Sequence, residues 1–109
     1  MVRALDEIES LRKRANQVAV DGNREYNTGW HTALDLSSLL TVSEAITRTA
    51  IERKESRGGH FREDYPEKVK SFGEVNIIVR RGQNGEMQVV REKIPDMPAE
   101  LKQVIEEQR

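Results

Sequence analysis

Apolar residues recur every three or four positions near the start of the chain, which predicts an amphipathic helix of about four turns. The stripe consists of Leu5, Ile8, Leu11, Ala15 and Val18. The polar and glycine residues at positions 21–23 are typical of a helix end. We interpret this stripe as the core face of a helical bundle, and it indicates no chemistry.

A second helix is predicted over about residues 29–54, with Asn27 or Thr28 as its N-cap. Its apolar and small residues occupy more than one face, which is typical of a helix packed on two sides. The first helix can cover only one side, so we expect the other side to meet the C-terminal segment or a partner outside this chain. Residues 41–44, Thr-Val-Ser-Glu, match a capping box. Two alternatives therefore stay open: a break near Leu40, or an unbroken helix with solvent-facing hydroxyls.

The C-terminal half has the pattern of β-structure. Residues 67–74 are predicted to be a loop, and two runs rich in β-branched residues follow, at 75–80 and 87–91. The Asn-Gly pair between these runs predicts a β-hairpin with its tip at residues 82–85. A single hairpin is marginal in water, so it needs the helices or a neighbouring domain behind it. Pro98 suits the first position of a short last helix that ends at Arg109.

These elements predict an α+β chain, mainly α, with an antiparallel helical bundle of two long helices, then a β-hairpin and a short C-terminal helix. We divide it into residues 1–57, the helical bundle part, and residues 58–109, which hold a loop, the hairpin and the last helix. The two parts form one small domain. Of the 109 residues, 36% are hydrophobic and 34% charged. This is low in apolar content for an independent globule, as expected if some apolar surface rests on another domain.

Charge and composition exclude several classes of function. The formal net charge of -1 argues against a nucleic-acid-binding surface. The chain has no cysteine, so it has no disulfide and no thiolate metal site. It shows no apolar run near 18 residues and no signal-peptide pattern, so we expect no direct membrane insertion. His31 has only Asp35 as a neighbour one helical turn away, so we interpret it as a helix-surface histidine and not a metal ligand.

The densest polar chemistry lies in residues 55–66, Glu-Ser-Arg-Gly-Gly-His-Phe-Arg-Glu-Asp-Tyr-Pro, which we call the motif segment. Its paired glycines predict a turn at the C-terminus of the second helix. Arg57, His60 and Arg62 would then lie near the negative end of the dipole of that helix.

The residues of the motif segment are compatible with three kinds of function. Metal binding by His60, Glu63 and Asp64 is opposed by the neighbouring arginines. Acid–base catalysis by His60 with Asp64 lacks a nucleophile and an oxyanion hole. We favour an ionic and hydrogen-bonding clasp onto an adjoining domain, because arginine forks hold carboxylates and backbone carbonyls well. The expected inter-domain contact residues are Arg57, Gly58, Gly59, His60, Arg62, Asp64 and Tyr65.

The motif segment resembles the C-terminal region of the flavoprotein subunit of succinate dehydrogenase and fumarate reductase. Shorter stretches of similar sequence occur in L-aspartate oxidase. The similarity continues through residues 25–28, 75–79 and 92–95. It implies a fragment of an FAD-dependent oxidoreductase that converts succinate to fumarate and passes electrons to an iron–sulfur subunit. It also implies packing against the flavin-binding domain of the same subunit. The complex is then expected on the cytoplasmic side, peripheral to the inner face of the cytoplasmic membrane.

The sequence lacks the G-x-G-x-x-G pattern that would hold the FAD pyrophosphate. We therefore expect no catalytic, cofactor-binding or metal-ligating residue in this chain, which should be inactive alone, and FAD only in the parent protein. Two alternatives remain. One is a free-standing helical protein-interaction module, and the other is the C-terminal domain of an L-aspartate oxidase.

Overall fold

The computed structural model describes residues 1–108. Within them the elements are α1 (Val2–Ala15), α2 (Thr28–Glu52), a 3-10 helix (Lys70–Glu74), β1 (Val75–Arg81), β2 (Met87–Lys93) and α3 (Ala99–Glu107). Helix predominates and the two strands form one antiparallel sheet. The predicted α+β class is confirmed, and the division of the chain after residue 57 stays a prediction.

α1 and α2 form an antiparallel pair. Arg12 of α1 donates to the carboxylate of Glu44 at 2.8 Å. Ala15, further along α1, lines the same shallow cavity as Leu40, which is earlier in α2. The contacts therefore run in opposite chain directions, as predicted for a helical bundle.

α1 ends at Ala15, so the prediction that it continues through Val18 to residues 21–23 is wrong. The last turn holds three basic residues at positions 12–14, where cations interact favourably with the negative end of the dipole. Val18 lies beyond the helix and is 52% exposed. β-branched residues such as Val18 and Val20 also favour helix less than the residues before them.

α2 is a single helix of 25 residues, which selects the unbroken alternative. The hydroxyls of Thr41 and Ser43 donate to the carbonyls four residues before them, so they do not cap a new helix. Asn27 is the N-cap, as predicted, and its side chain accepts from the Trp30 amide. The helix ends at Glu52, two residues before the predicted boundary.

The predicted hairpin is confirmed, with cross-strand pairs from Val75↔Lys93 to Arg81↔Met87 and a tip at residues 82–85. Arg91 of β2 pairs with Glu52 at 2.7 Å and lies over the Phe72 ring at 4.6 Å. These contacts hold the hairpin on the C-terminal end of α2. The 3-10 helix occupies part of the segment predicted to be a loop, residues 67–74.

The core is small. Among residues 1–108 the buried apolar side chains are Leu40 and Phe72, and every residue of α3 is exposed. α3 begins at Ala99 after Pro98, and its predicted end at Arg109 lies outside the described residues. Over residues 1–108 no helix combines the length and apolar character needed to cross a membrane. A domain with so little buried apolar surface is marginal by itself.

Candidate interaction site

Glu55 is the centre of the motif segment and is fully buried. One carboxylate oxygen accepts from Arg53 at 2.6 Å and from Arg57 Nε at 2.8 Å. The other oxygen accepts from Arg57 Nη2 at 3.0 Å and from the Val69 amide at 2.8 Å. The hydrogen bonds from Arg57 lower the pKa of Glu55 to about 2, against the opposing effect of burial. The buried charge is therefore fully compensated.

The local sequence explains how these groups meet. After α2 the backbone of Arg53 is extended. In an extended chain the side chains at positions i and i+2 lie on the same side. Arg53, Glu55 and Arg57 are spaced in this way, so the alternation basic–acidic–basic brings the three charges together. The backbone of Val69 and Phe72, more distant along the chain, completes the cluster.

Arg62 closes the C-terminus of α2. Its Nη1 donates to the carbonyls of Ala50, Ile51 and Arg53 at 2.9 to 3.1 Å. These carbonyls belong to the helix end, where acceptors lack partners within the helix and the dipole is negative. Nε and Nη2 form a two-bond pair with Asp64 at 2.9 and 2.6 Å, which lowers the pKa of Asp64. Arg62 is only 8% exposed, so its guanidinium is used within the chain.

Ser56 closes the loop between these two clusters. Its hydroxyl accepts from the Arg62 amide at 2.9 Å and lies 2.9 Å from the Tyr65 carbonyl, to which it donates. Its own amide donates to the Glu67 carbonyl at 3.1 Å. One small buried side chain thus fixes the path of the motif segment relative to the end of α2.

The paired glycines do not end α2, so that prediction is wrong: the helix stops at Glu52, because Arg53 already has an extended backbone and Arg62 caps the last carbonyls. Instead Arg57 and His60 exchange two backbone hydrogen bonds, at 2.8 and 3.0 Å, around a two-residue turn. Gly58 has φ +58 there, and a Cβ at either glycine would meet nothing within 4 Å. The turn therefore projects into open space.

The structure brings all seven expected contact residues into one loop but gives them different roles. Arg57 and Arg62 hold internal carboxylates, whereas Gly58, Gly59, Asp64 and Tyr65 are exposed. His60 is half-buried and its Nε2 lies 3.2 Å from the Arg53 carbonyl, so Arg62 and His60, two of the three residues predicted near the negative end of α2, do lie there. Whether this loop contacts another domain stays a prediction.

The structure gives no support for chemistry at His60. Asp64 pairs with Arg62 and not with His60, so the two residues form no acid–base pair. Across residues 1–108, no three His, Cys, Asp or Glu side chains are grouped to hold a metal ion.

Two features of the site were missed by the sequence interpretation. One is the role of Glu55 as the hub; the flanking arginines two residues away on each side were the available signal. The other is the outer face of α2, which we define as Leu39, Val42 and Ile46. These side chains are 58%, 57% and 63% exposed. The sequence indicated a second apolar side of this helix but not which residues stay uncovered.

The outer face of α2 leads into an open groove. The groove has a volume of about 560 Å³ and lies between the C-terminal half of α2 and strand β1. Ile46 and Ala50 form its helical wall, Ile77 and Ile78 its strand wall, and His60 lies beside it. The motif segment, the outer face and the groove are therefore contiguous.

The chain is similar in sequence to known proteins over most of its length. Residues 1–106 match the family model described as fumarate reductase flavoprotein C-term. The fumarate reductase flavoprotein subunit of Mycobacterium tuberculosis strain H37Rv is 32% identical over 90 residues, which are 82% of this chain and 15% of that protein.

Two further relatives carry other enzyme names. The L-aspartate oxidase of Acinetobacter baylyi is 42% identical over 65 residues, 60% of this chain and 11% of the relative. The succinate dehydrogenase flavoprotein subunit of Coxiella burnetii is 36% identical over 69 residues, 62% of this chain and 12% of the relative. This chain thus spans a small fraction of each of these relatives.

Proposed function

Because the chain belongs to the fumarate reductase flavoprotein C-terminal family, we propose that it is the C-terminal domain of a flavoprotein subunit of the succinate dehydrogenase and fumarate reductase type. FAD in the parent protein would carry the redox reaction between succinate and fumarate, with electrons passing to an iron–sulfur subunit. The domain itself braces the flavin-binding domain and supplies no reacting group.

The observation that carries this proposal is the outer face of α2. Successive residues of a helix are about 100° apart, so Val42 lies about 160° around the helix from Leu40, which faces α1. Three large apolar side chains on that side are more than half exposed. Contiguous exposed apolar surface of this kind marks an interaction surface. A flavin-binding domain of the same subunit is the partner that family membership suggests.

The motif segment supports the same role. Glu55, Arg57, Arg62 and Asp64 are paired within the chain, so the loop is held by its own contacts before any partner binds. The surface that it offers consists of the glycine turn and three side chains around it, Phe61, Asp64 and Tyr65, which are exposed. A preformed loop binds with less loss of conformational entropy than a mobile one. Arg57 and Arg62 then act by positioning this surface.

The names of the relatives support a structural role over a catalytic one. Proteins named for fumarate reduction, succinate dehydrogenation and L-aspartate oxidation all match this segment, at 32% to 42% identity. A segment that selected the substrate would be expected to differ between these activities. We propose accordingly that substrate choice lies elsewhere in the parent protein.

The proposed parent complex lies on the cytoplasmic side, peripheral to the inner face of the cytoplasmic membrane. The test is an immunoblot of fractionated source cells with an antibody raised against this chain. We expect one band several times larger than 12.5 kDa in the membrane fraction, together with succinate–dye reductase activity. A band at 12.5 kDa that separates from this activity would overturn the proposal and favour a free-standing interaction module.

A further inference from the structure

Strand β1 has one edge whose backbone groups make no hydrogen bond within residues 1–108. The Gly82 amide donates to the Glu86 carbonyl and the Ile94 amide to the Glu74 carbonyl. In an antiparallel ladder such hydrogen-bonded pairs alternate with pairs whose backbone groups point outward. The register then directs the N–H and C=O groups of Ile77 and Val79 away from β2. Neither residue makes another hydrogen bond among residues 1–108.

The outer edge of β1 lacks the usual protection of an edge strand over residues 75–79. Exposed edge strands normally carry lysine, other charges, proline or a bulge, which prevent pairing with other chains. Each strand has an uncharged run without proline and ends in charged residues: β1 is uncharged over 75–79 and ends in Arg80 and Arg81, and β2 is uncharged over 87–90 and ends in Arg-Glu-Lys at 91–93. β1 pairs one-to-one along its length, without a bulge. Residues 75–79 of β1 therefore form an edge without these protections.

The groove described above lies along this same edge. Consecutive residues 76–78 of β1 line it, opposite Ile46 and Ala50 of α2. A backbone placed in the groove would meet the outward N–H and C=O groups of β1, and its alternate side chains would meet the apolar wall of α2. Both kinds of group are uncovered in the chain.

We propose that an extended segment of the flavin-binding part of the parent subunit adds to β1 as a third, edge-paired strand, with alternate apolar side chains against Ile46 and Ala50. This rests on the proposed function and names the geometry of its interface. An unpaired row of backbone donors and acceptors selects an extended partner, because a helix has its own backbone groups already paired. A third strand also gives the hairpin the support that two strands lack.

Two observations favour the parent subunit over a second copy of this chain. The match covers 15% of the M. tuberculosis relative, so most of such a subunit lies outside it and can supply the strand. A second copy of this chain is a poorer partner. In each copy Ile77 lies on the same face of the hairpin as Arg91, and Arg91 contacts Glu52 of α2. The side chains on this face of β1 in the second copy would therefore contact the α2 of that second copy, and Ile46 of the first copy would stay uncovered.

The test is hydrogen exchange, resolved to single amides, on the free 109-residue chain and on the larger protein captured from source cells by the antibody. We expect the Ile77 and Val79 amides to exchange fast in the free chain and roughly 100-fold more slowly in the larger protein. The Val89 amide, which points outward from β2, is the internal control and should stay fast in both.

Each other outcome has a distinct meaning. Fast exchange of Ile77 and Val79 in a larger protein with succinate–dye reductase activity overturns the third strand and leaves the proposed function intact. Absence of a larger protein overturns the proposed function itself. Slow exchange in the free chain together with a dimer mass in solution overturns the proposal in favour of a second copy.

A matched pair of variants gives a second readout. Val79 and Val89 face each other across the hairpin, and the N–H of each points to an outer edge. Proline at such a position removes an outward donor but no ladder bond. In the parent protein we expect Val79→Pro to lower the temperature of flavin release and Val89→Pro to leave it unchanged, with equal effects of the two on the free chain. Equal effects in the parent protein would contradict the proposal.

Discussion

The motif segment and the outer face of α2 adjoin each other but differ in how completely their groups are satisfied. In the motif segment the fully buried carboxylate of Glu55 accepts four hydrogen bonds. Arg62 donates to three backbone carbonyls and to Asp64, so its guanidinium is used within the chain. On the outer face of α2 three large apolar side chains stay more than half exposed. Beside them the backbone of β1 keeps free donors and acceptors.

The polar groups of the motif segment are paired within the chain, whereas the apolar surface of α2 is the part that we propose a partner covers. A charged group that is buried within the chain needs partners within the chain, since an unpaired buried charge is strongly destabilising. Apolar surface can remain exposed at a smaller free-energy cost and be buried later on association. The motif segment, with its polar groups paired, thus holds in place the outer face of α2 and the edge of β1.

We expect the largest loss of stability from a substitution of Glu55, the buried carboxylate at the centre of the motif segment. Glu55→Gln removes the charge that Arg53 and Arg57 share and leaves two guanidinium groups competing for one amide oxygen. We expect the largest decrease in urea midpoint of any single polar substitution in the chain. Glu63→Gln, at an exposed position of the same segment, is the matched control and should unfold like the natural chain.

The same hub predicts loss of stability in acid. The folded-state pKa of Glu55 is about 2, below its ordinary value of 4.5. The ionised form therefore stabilises the fold fully above about pH 4.5, and this contribution is lost as pH falls toward 2. The lowered pKa of Asp64 acts in the same direction. The urea midpoint should fall over this range, and the fall should be smaller in Glu55→Gln; identical pH profiles would contradict the role of Glu55.

A smaller effect is expected at the turn. Gly58 has φ +58 whereas no positive φ is recorded for Gly59, and both have open space around them. Gly58→Ala should lower the free energy of unfolding by about 1 kcal/mol, because an L-residue is strained in the left-handed region. Gly59→Ala should change it by less than about 0.5 kcal/mol. Equal values for the two variants, measured by urea titration, would rule out backbone strain as the cause.

The smallest effect on the isolated chain is expected on the outer face of α2. Ile46→Glu should alter its free energy of unfolding by no more than about 0.5 kcal/mol, since Ile46 is 63% exposed. In the parent protein the same substitution should lower the temperature of flavin release, because the charge would be buried against the partner. Leu34→Glu, 57% exposed and outside the outer face, is the control and should affect the parent protein less.

The sequence by itself determined the type and order of the α-helices and β-strands, but not the 3-10 helix, which lies in a segment predicted to be a loop. Apolar spacing, the Asn27 cap and the Asn-Gly turn depend on local geometry with periods of 3.6 and 2 residues. The ends of elements were less well determined. α1 stops at Ala15 and α2 at Glu52, since helix ends depend on which groups later meet the free carbonyls.

Only the tertiary structure decided what the motif segment does. The sequence showed its charges, but the pairing of Arg62 with carbonyls eleven and twelve residues before it follows from the path of the chain after α2. The same holds for the bond between Glu55 and the Val69 amide, fourteen residues away. Local patterns cannot specify such contacts, because they depend on how the loop folds back. That fold uses the charges internally and leaves apolar side chains and a strand edge free for a partner.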